Sequence, residues 1–175
     1  MPTLPLAAAI VFLALAALPF AAAADDPPPD AVIAIGGLDL RYDPHQWQVE
    51  TSDAATVVSC IDDDCRDTSV AVTMDPDAGP ESCSETAMLA RFGLGFDDIG
   101  ISTGDGLTAS RIVNGLILHE ARMDFGCRNL AGGPVVACTR LDGVTYRFDA
   151  PGNHCRTSWL HEEIVADLLS GLSPR

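Results

Sequence analysis

The sequence predicts an α+β domain in which an antiparallel sheet is packed by a short helix and a C-terminal helix and is stabilised by disulfides. Three observations carry this prediction. Two β-prone runs contain the pairs Asn114-Gly115 and Asp142-Gly143, a helix-cap signature precedes them, and an apolar helical stripe follows them. Asn-Gly and Asp-Gly between β-prone runs are strong hairpin signals, because both central residues of a type I′ turn need positive φ.

An apolar leader opens the chain. Residues 1–24 contain no charged side chain, and Ala22-Ala23-Ala24 precede Asp25 as a small-residue cleavage site. This pattern favours a cleaved signal peptide over residues 1–24, although the usual Lys or Arg near its start is missing. The alternative is an uncleaved anchor, because the apolar run approaches the ~20 residues of a bilayer span.

The remaining residues divide into an N-terminal arm and one folded domain. Residues 25–36 begin with DDPPPD, which predicts an extended arm that leads into the first strand. Residues 37–175 show no internal repeat and no linker composition. We therefore expect a single α+β domain over residues 37–175.

The charge of the chain limits its partners. All 10 basic residues are arginine, against 25 acidic residues, and the formal net charge is −15. An acidic protein of this kind is not expected to bind nucleic acid or an anionic membrane surface. We expect an unknown protein or small-molecule partner, no cofactor, and no membrane contact once the signal is removed.

Six cysteines follow the leader. An even number in an exported chain predicts three disulfides and a periplasmic or secreted location, and six cysteines allow 15 pairings. Cys60 and Cys65 flank the short IDDD segment, so we expect them to pair locally.

The other four cysteines leave the connectivity open. Cys127 and Cys138 lie symmetrically about a Gly-Gly turn, which suggests a bridge between them and leaves Cys83 to pair with Cys155. Strand alternation puts Cys127 and Cys138 on opposite faces, so this bridge requires a bulge at Gly126. Without the bulge, Cys127 pairs elsewhere.

Four strand signals and one helix signal precede the hairpins. A helix is predicted from Cys83 to about Phe92, because Ser82 and Glu85 have the spacing of a capping box and Gly93 stops the pattern. The strand signals are AVIAIGGLDLRYD, which is interrupted at Gly36-Gly37, and the shorter runs WQVET, ATVVSC and TSVAVTM.

The two hairpin signals together predict a four-stranded meander over residues 107–149. Two-residue loops fix the register, so Ser110 faces His119 and Thr139 faces Tyr146. We expect His119 on an apolar core face, hydrogen-bonded to a neighbour, with Ile112 and Ile117 beside it. The opposite face is predicted to hold four arginines, namely Arg111, Arg122, Arg140 and Arg147.

The four arginines have two interpretations. One is a solvated face with cross-strand ion pairs, since Glu120, Asp124 and Asp149 share that face. The other is a site for an anionic ligand, because guanidinium groups match carboxylate and phosphate. The interleaved acids favour the first interpretation.

The C-terminal segment predicts an amphipathic helix over residues 158–169. Gly171 and Pro174 close the chain after it. The apolar stripe of this helix contains Leu160, Ile164, Leu168 and Leu172, with Val165 and Leu169 beside it.

Candidate chemical sites are few. A metal site is one hypothesis, with Asp62, Asp63 and Asp64 as Ca²⁺ ligands or His154 and His161 as Zn²⁺ or Cu²⁺ ligands. Neither spacing matches a known signature, and a solvated loop explains the aspartates.

A second hypothesis is a hydrolase-like site that uses His119 as an acid or base. The sequence contains no nucleophile elbow, phosphate-binding glycine loop, HExxH or CxxC. His45 is predicted to be exposed in a turn.

The segment GGLDLRYDPHQW, at Gly36–Trp47, resembles the opening of PsbP/Mog1-type domains. The later order of strands, helix, meander and closing helix is also similar, and the resemblance covers residues 37–172. Six cysteines and the absence of lysine depart from the family pattern. The resemblance implies a mostly non-catalytic accessory or binding module, with no catalytic set to carry over.

These observations together predict a secreted or periplasmic, non-catalytic binding or accessory domain stabilised by three disulfides. A metal-binding envelope protein and a small hydrolase are the alternatives.

Overall fold

The structure is a computed structural model that describes residues 30–65, 67–92, 108–122, 133–152 and 161–175. The predicted signal peptide over residues 1–24 therefore lies outside the described residues. Within these ranges, no helix combines the length and the apolar character needed to cross a bilayer.

The strands are β1 (Ala31–Ile35), β2 (Leu38–Tyr42), β3 (Trp47–Thr51), β4 (Thr56–Cys60), β5 (Ser69–Asp75), β6 (Thr108–Val113), β7 (Leu116–Arg122), β8 (Val135–Leu141), β9 (Val144–Ala150) and β10 (Leu172–Pro174).

Two short helices follow β5, and one helix lies near the end of the chain. A 3-10 helix spans Pro80–Cys83, α1 spans Glu85–Ala90, and α2 spans His161–Ser170. The predicted α+β class and its antiparallel character are confirmed.

The strands form two antiparallel sheets rather than one. The larger sheet has the order β3-β4-β5-β9-β8-β7-β6, and the smaller has the order β1-β2-β10. The predicted break at Gly36-Gly37 is a full reversal between β1 and β2, where the Gly37 amide donates to the Tyr146 hydroxyl at 2.8 Å. The predicted N-terminal strand therefore forms two strands of the small sheet, of which β2 also pairs with β10.

The meander of β6, β7, β8 and β9 has the predicted register. Ser110 pairs with His119, and Thr139 pairs with Tyr146. Asn114 and Asp142 have φ of 47° and 51°, as the first central residue of a type I′ turn requires.

The predicted faces of the first hairpin are reversed. Leu118 and Glu120 are buried, whereas Ile112 is 78% exposed and Ile117 is 58% exposed. The cause is the register between the hairpins, which pairs Glu120 with Ala137 and so turns Glu120 toward the main core. A two-residue loop fixes which residues pair within a hairpin. It does not fix the register between the two hairpins, and that register decides which of their faces lie on the same side of the sheet.

The main core lies on one face of the large sheet. That face is covered by the small sheet and by α2, whose buried residues are His161, Val165, Leu168 and Leu169. A second, smaller apolar cluster lies on the opposite face beneath α1, and it consists of Cys83, Met88, Leu89, Ala121, Val136 and Cys138. Apolar clusters therefore lie on both faces of the large sheet, which explains why alternation alone did not identify its core side.

Two helix ends differ from the sequence prediction. Ser84, rather than Ser82, caps α1, and its hydroxyl accepts from the Ala87 amide at 3.3 Å. At the other end of the domain, Leu172 belongs to β10 and not to the helical stripe, because α2 ends at Ser170. Residues 158–160 of the predicted helix lie outside the described residues.

Two disulfides are present in the described part of the chain. The predicted Cys60–Cys65 bridge is confirmed. Cys83 bonds to Cys138, so the predicted Cys127–Cys138 and Cys83–Cys155 pairings are wrong. Cys138 points to the face of β8 on which Cys83 packs, with a Cα–Cα distance of 5.3 Å. Cys127 and Cys155 lie outside the described residues.

Candidate functional site

His119 lies between two clefts on the α1 face of the large sheet. The larger cleft has a volume of about 360 Å³, and its wall includes Pro80, Leu141 and Pro174. The smaller has a volume of about 220 Å³ and is bounded by Glu85. Both clefts also share Cys83. We name the two clefts together the His119 groove.

The sheet register and a disulfide build this groove. His119 on β7 lies opposite Ser110 on one side and opposite Cys138 on the other. The Cys83–Cys138 bond ties the 3-10 helix to β8, so the wall of the groove beside His119 is covalently fixed. Arg91 at the end of α1 adds an ion pair with Asp149 on β9.

The imidazole of His119 is half-buried and has one hydrogen-bond partner among the described residues. The Ser110 hydroxyl lies 2.8 Å from His119 Nδ1. The prediction that a neighbour hydrogen-bonds His119 is therefore confirmed, but the predicted position on the main core face is wrong. His119 lines solvent-accessible clefts instead.

Two exposed isoleucines border the groove at the end of the first hairpin. Ile112 and Ile117 are direct cross-strand partners, and Ile117 also lines the larger cleft. Single exposed apolar side chains are common on protein surfaces, whereas adjoining ones form an apolar patch, and apolar patches are a feature of binding surfaces. We name Ile112 and Ile117 the isoleucine pair.

The four predicted arginines do not share a face. Arg140 lines the groove and donates to the Gly143 carbonyl at 3.1 Å, and Arg147 pairs with Asp75 at 3.5 Å. Arg111 and Arg122 lie on the opposite, core-facing side of the sheet. The predicted placement of all four arginines on one face is therefore wrong, for the same reason that the predicted faces of the first hairpin are reversed.

The two core-side arginines surround a buried carboxylate. Glu120 accepts from Arg111 Nε at 2.9 Å, and its other oxygen lies 3.8 Å from Arg122. Arg122 also pairs with Glu162 of α2 at 3.1 Å, and Arg111 donates to the Ala166 carbonyl at 3.0 Å. This network joins α2 to the sheet, which indicates a structural role for these arginines.

His161 is buried at the start of α2. Its Nδ1 lies 3.1 Å from the Thr68 hydroxyl, and no described residue hydrogen-bonds its Nε2. Burial lowers the pKa of the imidazole, because desolvation disfavours the charged form. His154, its predicted companion in a metal site, lies outside the described residues.

The aspartate loop forms a local turn. The Asp64 amide donates to the Asp62 carboxylate at 2.9 Å, and Asp62, Asp63 and Asp64 are all exposed. Among the residues that the structure describes, no three His, Cys, Asp or Glu side chains come together as metal ligands. His45 is exposed in its turn, as predicted.

A separate cleft of about 280 Å³ lies where the end of α2 meets the segment Gly36–Trp47. Its walls include Tyr42, Trp47 and Asp167, together with the ion pair of Arg41 and Asp30 at 3.1 Å.

Sequence reasoning missed both the groove and the isoleucine pair. The available signal was the predicted register, which already placed Ile112 and Ile117 beside Ser110 and His119. Polar neighbours on the same face favour exposure of that face, but the alternation of Ile112, Ile117 and Ala121 on it predicted a core face.

One comparison with a solved structure supports the fold. The chain is similar to the solution structure of cyanobacterial PsbP (CyanoP) from Synechocystis sp. PCC 6803, with a TM-score of 0.51 and 11% identity over 87% of this chain and 96% of that chain. A crystal structure from Bacteroides thetaiotaomicron VPI-5482 aligns with a TM-score of 0.43 and 10% identity, over 79% of this chain and 45% of that chain. No protein-family model and no curated protein matches the chain. The predicted PsbP-like resemblance is therefore confirmed at the level of the fold.

Proposed function

We propose that this protein is an exported, non-catalytic binding or accessory domain that takes its partner at the His119 groove and the isoleucine pair. The observation that carries the proposal is the exposure of Ile112 and Ile117 beside a cleft whose wall is fixed by the Cys83–Cys138 bond. A rigid wall favours binding, because little ordering entropy is lost when a partner docks. Exposed apolar side chains favour it because docking removes them from water.

The chemistry around His119 supports binding over catalysis. Acyl transfer by serine needs a histidine base that a third group orients. Ser110 contacts Nδ1 of His119, and no carboxylate of the described residues hydrogen-bonds the ring. The PsbP-like fold is compatible with an accessory role.

Export is the second part of the proposal, and the two disulfides support it because such bonds persist in oxidising compartments. Its test is the intact mass of the protein isolated from the periplasm or medium of its host, without reductant. We expect a chain that starts at Asp25 and lacks six hydrogens. A full-length chain with free thiols would contradict export.

The binding surface can be tested with matched threonine variants. The wild-type protein and the double variant Ile112→Thr, Ile117→Thr are each immobilised and exposed to envelope proteins of the host. The sets of proteins that the two retain are then compared. Threonine keeps the β-branch that strands favour, so the hairpin is preserved. Val32→Thr is the control, because Val32 is a 56% exposed strand residue that lines neither cleft of the groove, and its strand β1 is separated from β10 by β2.

We expect the double variant to lose a discrete set of proteins that wild type and Val32→Thr both retain. Retention that is equal across the three proteins would reject the proposed surface.

The alternative function is a small hydrolase that uses Ser110 and His119, and the 2.8 Å contact between them is the observation that favours it. A panel of ester, amide and phosphoester substrates distinguishes the two functions. The binding proposal expects no turnover that His119→Ala removes. Turnover that is lost in both His119→Ala and Ser110→Ala would establish the hydrolase instead.

A further inference from the structure

We propose that the partner binds as an extended peptide strand that adds to the outer edge of β6. This inference rests on the proposed function, because it specifies how the same surface takes its partner. Strand addition at a free sheet edge is a general mode of peptide recognition, in which backbone bonds supply affinity and alternate side chains supply specificity.

The position of β6 makes this possible. β6 is the last strand of the large sheet, and β7 is its only strand partner in the described part of the chain. An edge strand presents a row of backbone N–H and C=O groups that another chain can pair with.

The turn identifies which groups face outward. In the turn at Asn114-Gly115, the carbonyl of the first residue and the amide of the fourth are joined, so Val113 and Leu116 form a hydrogen-bonded pair. Hydrogen-bonded and non-bonded pairs alternate along an antiparallel ladder. Arg111 and Ala109 therefore bond to β7, and the backbone groups of the intervening residues point to the free edge. These residues are Thr108, Ser110 and Ile112.

The side chains of the same three residues define the peptide. They lie on the groove face, where Ile112 is exposed and the Thr108 hydroxyl donates to Glu85 at 2.9 Å. An antiparallel peptide thus places an apolar residue opposite Ile112, a polar residue opposite Ser110 and a basic residue opposite Thr108, near Glu85. From its N-terminus, the expected sequence is apolar, any, polar, any, basic.

Charge favours a basic peptide over a second copy of this chain. Two copies, each with a formal net charge of −15, repel one another, whereas a basic segment is attracted. The edge is also short, because β6 spans only Thr108–Val113.

The test uses a fluorescent nine-residue peptide with Ile, Thr and Lys at the three defined positions and Thr at the intervening ones. One derivative is N-methylated at the three defined positions, and a matched derivative is N-methylated at the two intervening positions. In the proposed register only the first set of amides bonds to β6. We expect the first derivative to lose at least about tenfold in affinity and the second to stay within about threefold of the parent.

Two variants of the protein test the same register from the other side. Ser110→Pro removes an outward amide and leaves the bonds between β6 and β7 intact, as edge strands tolerate. Ser110→Ala removes only the hydroxyl. We expect Ser110→Pro to abolish peptide binding and Ser110→Ala to retain it.

Hydrogen exchange of the free protein completes the test. We expect fast exchange of the Thr108, Ser110 and Ile112 amides without peptide and slow exchange with it. Slow exchange in the free protein would overturn the inference, because the edge would already be occupied by this chain or by a second copy. Equal affinities of the two N-methylated peptides would also overturn it.

The tests of strand addition can fail without contradicting the proposed function. If the isoleucine variants lose their partner while N-methylation has no effect, the binding surface stands and strand addition fails.

Discussion

Arg111 Nε donates to Glu120 Oε1 at 2.9 Å across the first hairpin, on the face of the sheet that α2 covers. The glutamate side chain is only 4% exposed, whereas the arginine side chain is about one-third exposed. The carboxylate is thus removed from water and depends on its guanidinium partners, while each guanidinium keeps part of its hydration.

Removing this carboxylate tests the network. We expect Glu120→Gln to lower the free energy of unfolding by about 1–3 kcal/mol, because two guanidinium groups lose a buried counter-charge. Their partial exposure keeps the cost below that of a fully buried pair. Urea denaturation gives the value, and Glu163→Gln on the exposed side of α2 is the control, with a change within about 0.5 kcal/mol. An equal effect of the two substitutions would contradict the structural role of Glu120.

The pair of Arg111 and Glu120 shows which structural features the sequence can predict and which it cannot. The register that places Arg111 across from Leu118 follows from the Asn-Gly turn, and the structure has it. The side to which Glu120 points depends on how β7 pairs with β8, through a connection without a two-residue turn. Because both faces of the sheet carry apolar residues, the hydrophobic pattern did not resolve that choice, and the predicted placement of four arginines on one face was wrong for the same reason.

His161 predicts a pH dependence of stability. Its pKa in the folded protein is below the ordinary value near 6.5, so the unfolded chain takes up a proton first as the pH falls. The contribution of His161 to the free energy of unfolding is fully present above about pH 6.5. It is lost as the pH falls toward the folded-state pKa, at up to about 1.4 kcal/mol per pH unit.

The measurement is the pH profile of unfolding for wild type and His161→Asn. Asparagine keeps a polar atom near Thr68 but does not titrate. We expect the variant to lose the wild-type slope just below pH 6.5, and His45→Asn, at an exposed turn, to keep it. Parallel profiles for wild type and His161→Asn would show that burial of His161 does not control the slope.

The two disulfides should contribute unequally to the stability of the folded protein. Cys83–Cys138 closes a loop with a sequence separation of 55, and Cys60–Cys65 one of 5. Chain-entropy arguments assign about 4 kcal/mol to the first and about 2 kcal/mol to the second. The double serine variants, compared by thermal unfolding, should therefore differ, with the larger fall in Tm for Cys83 and Cys138.

Disulfide mapping under non-reducing conditions supports this comparison. It should yield a Cys83–Cys138 peptide, and by count it leaves Cys127 and Cys155 for the remaining bridge. Recovery of a Cys127–Cys138 peptide would contradict the structure.

Gly171 joins α2 to the small sheet at a point without room for a side chain. A Cβ there would lie 2.1 Å from the Arg41 carbonyl oxygen, while the Arg41 amide donates to the Gly171 carbonyl at 3.0 Å. Gly171→Ala should cost at least about 2 kcal/mol, since backbone must shift and β10 must move from β2. Gly143→Ala at an open turn is the control and should cost about 1 kcal/mol, from its φ of 85° alone. Equal costs would refute the close approach.

The candidate site was less predictable than the fold. Turn pairs and alternating runs gave the meander and the cysteine spacing gave Cys60–Cys65, because these are local signals. The groove depends on Cys83, far along the chain from Cys138, packing beside His119. No local pattern encodes that meeting, so the bond and the groove were missed together.

The most direct test of the proposed binding surface is site-specific photo-crosslinking in the exporting host. A photoreactive amino acid is placed at Ile117, which is 58% exposed, or, as a control, at Val32, which is 56% exposed and lines neither cleft of the groove. We predict one discrete crosslinked product from Ile117 that is absent from Val32. It should disappear when Ile112→Thr is added. Identical patterns from the two positions, or no product from either, would contradict the assignment of this surface as the binding site.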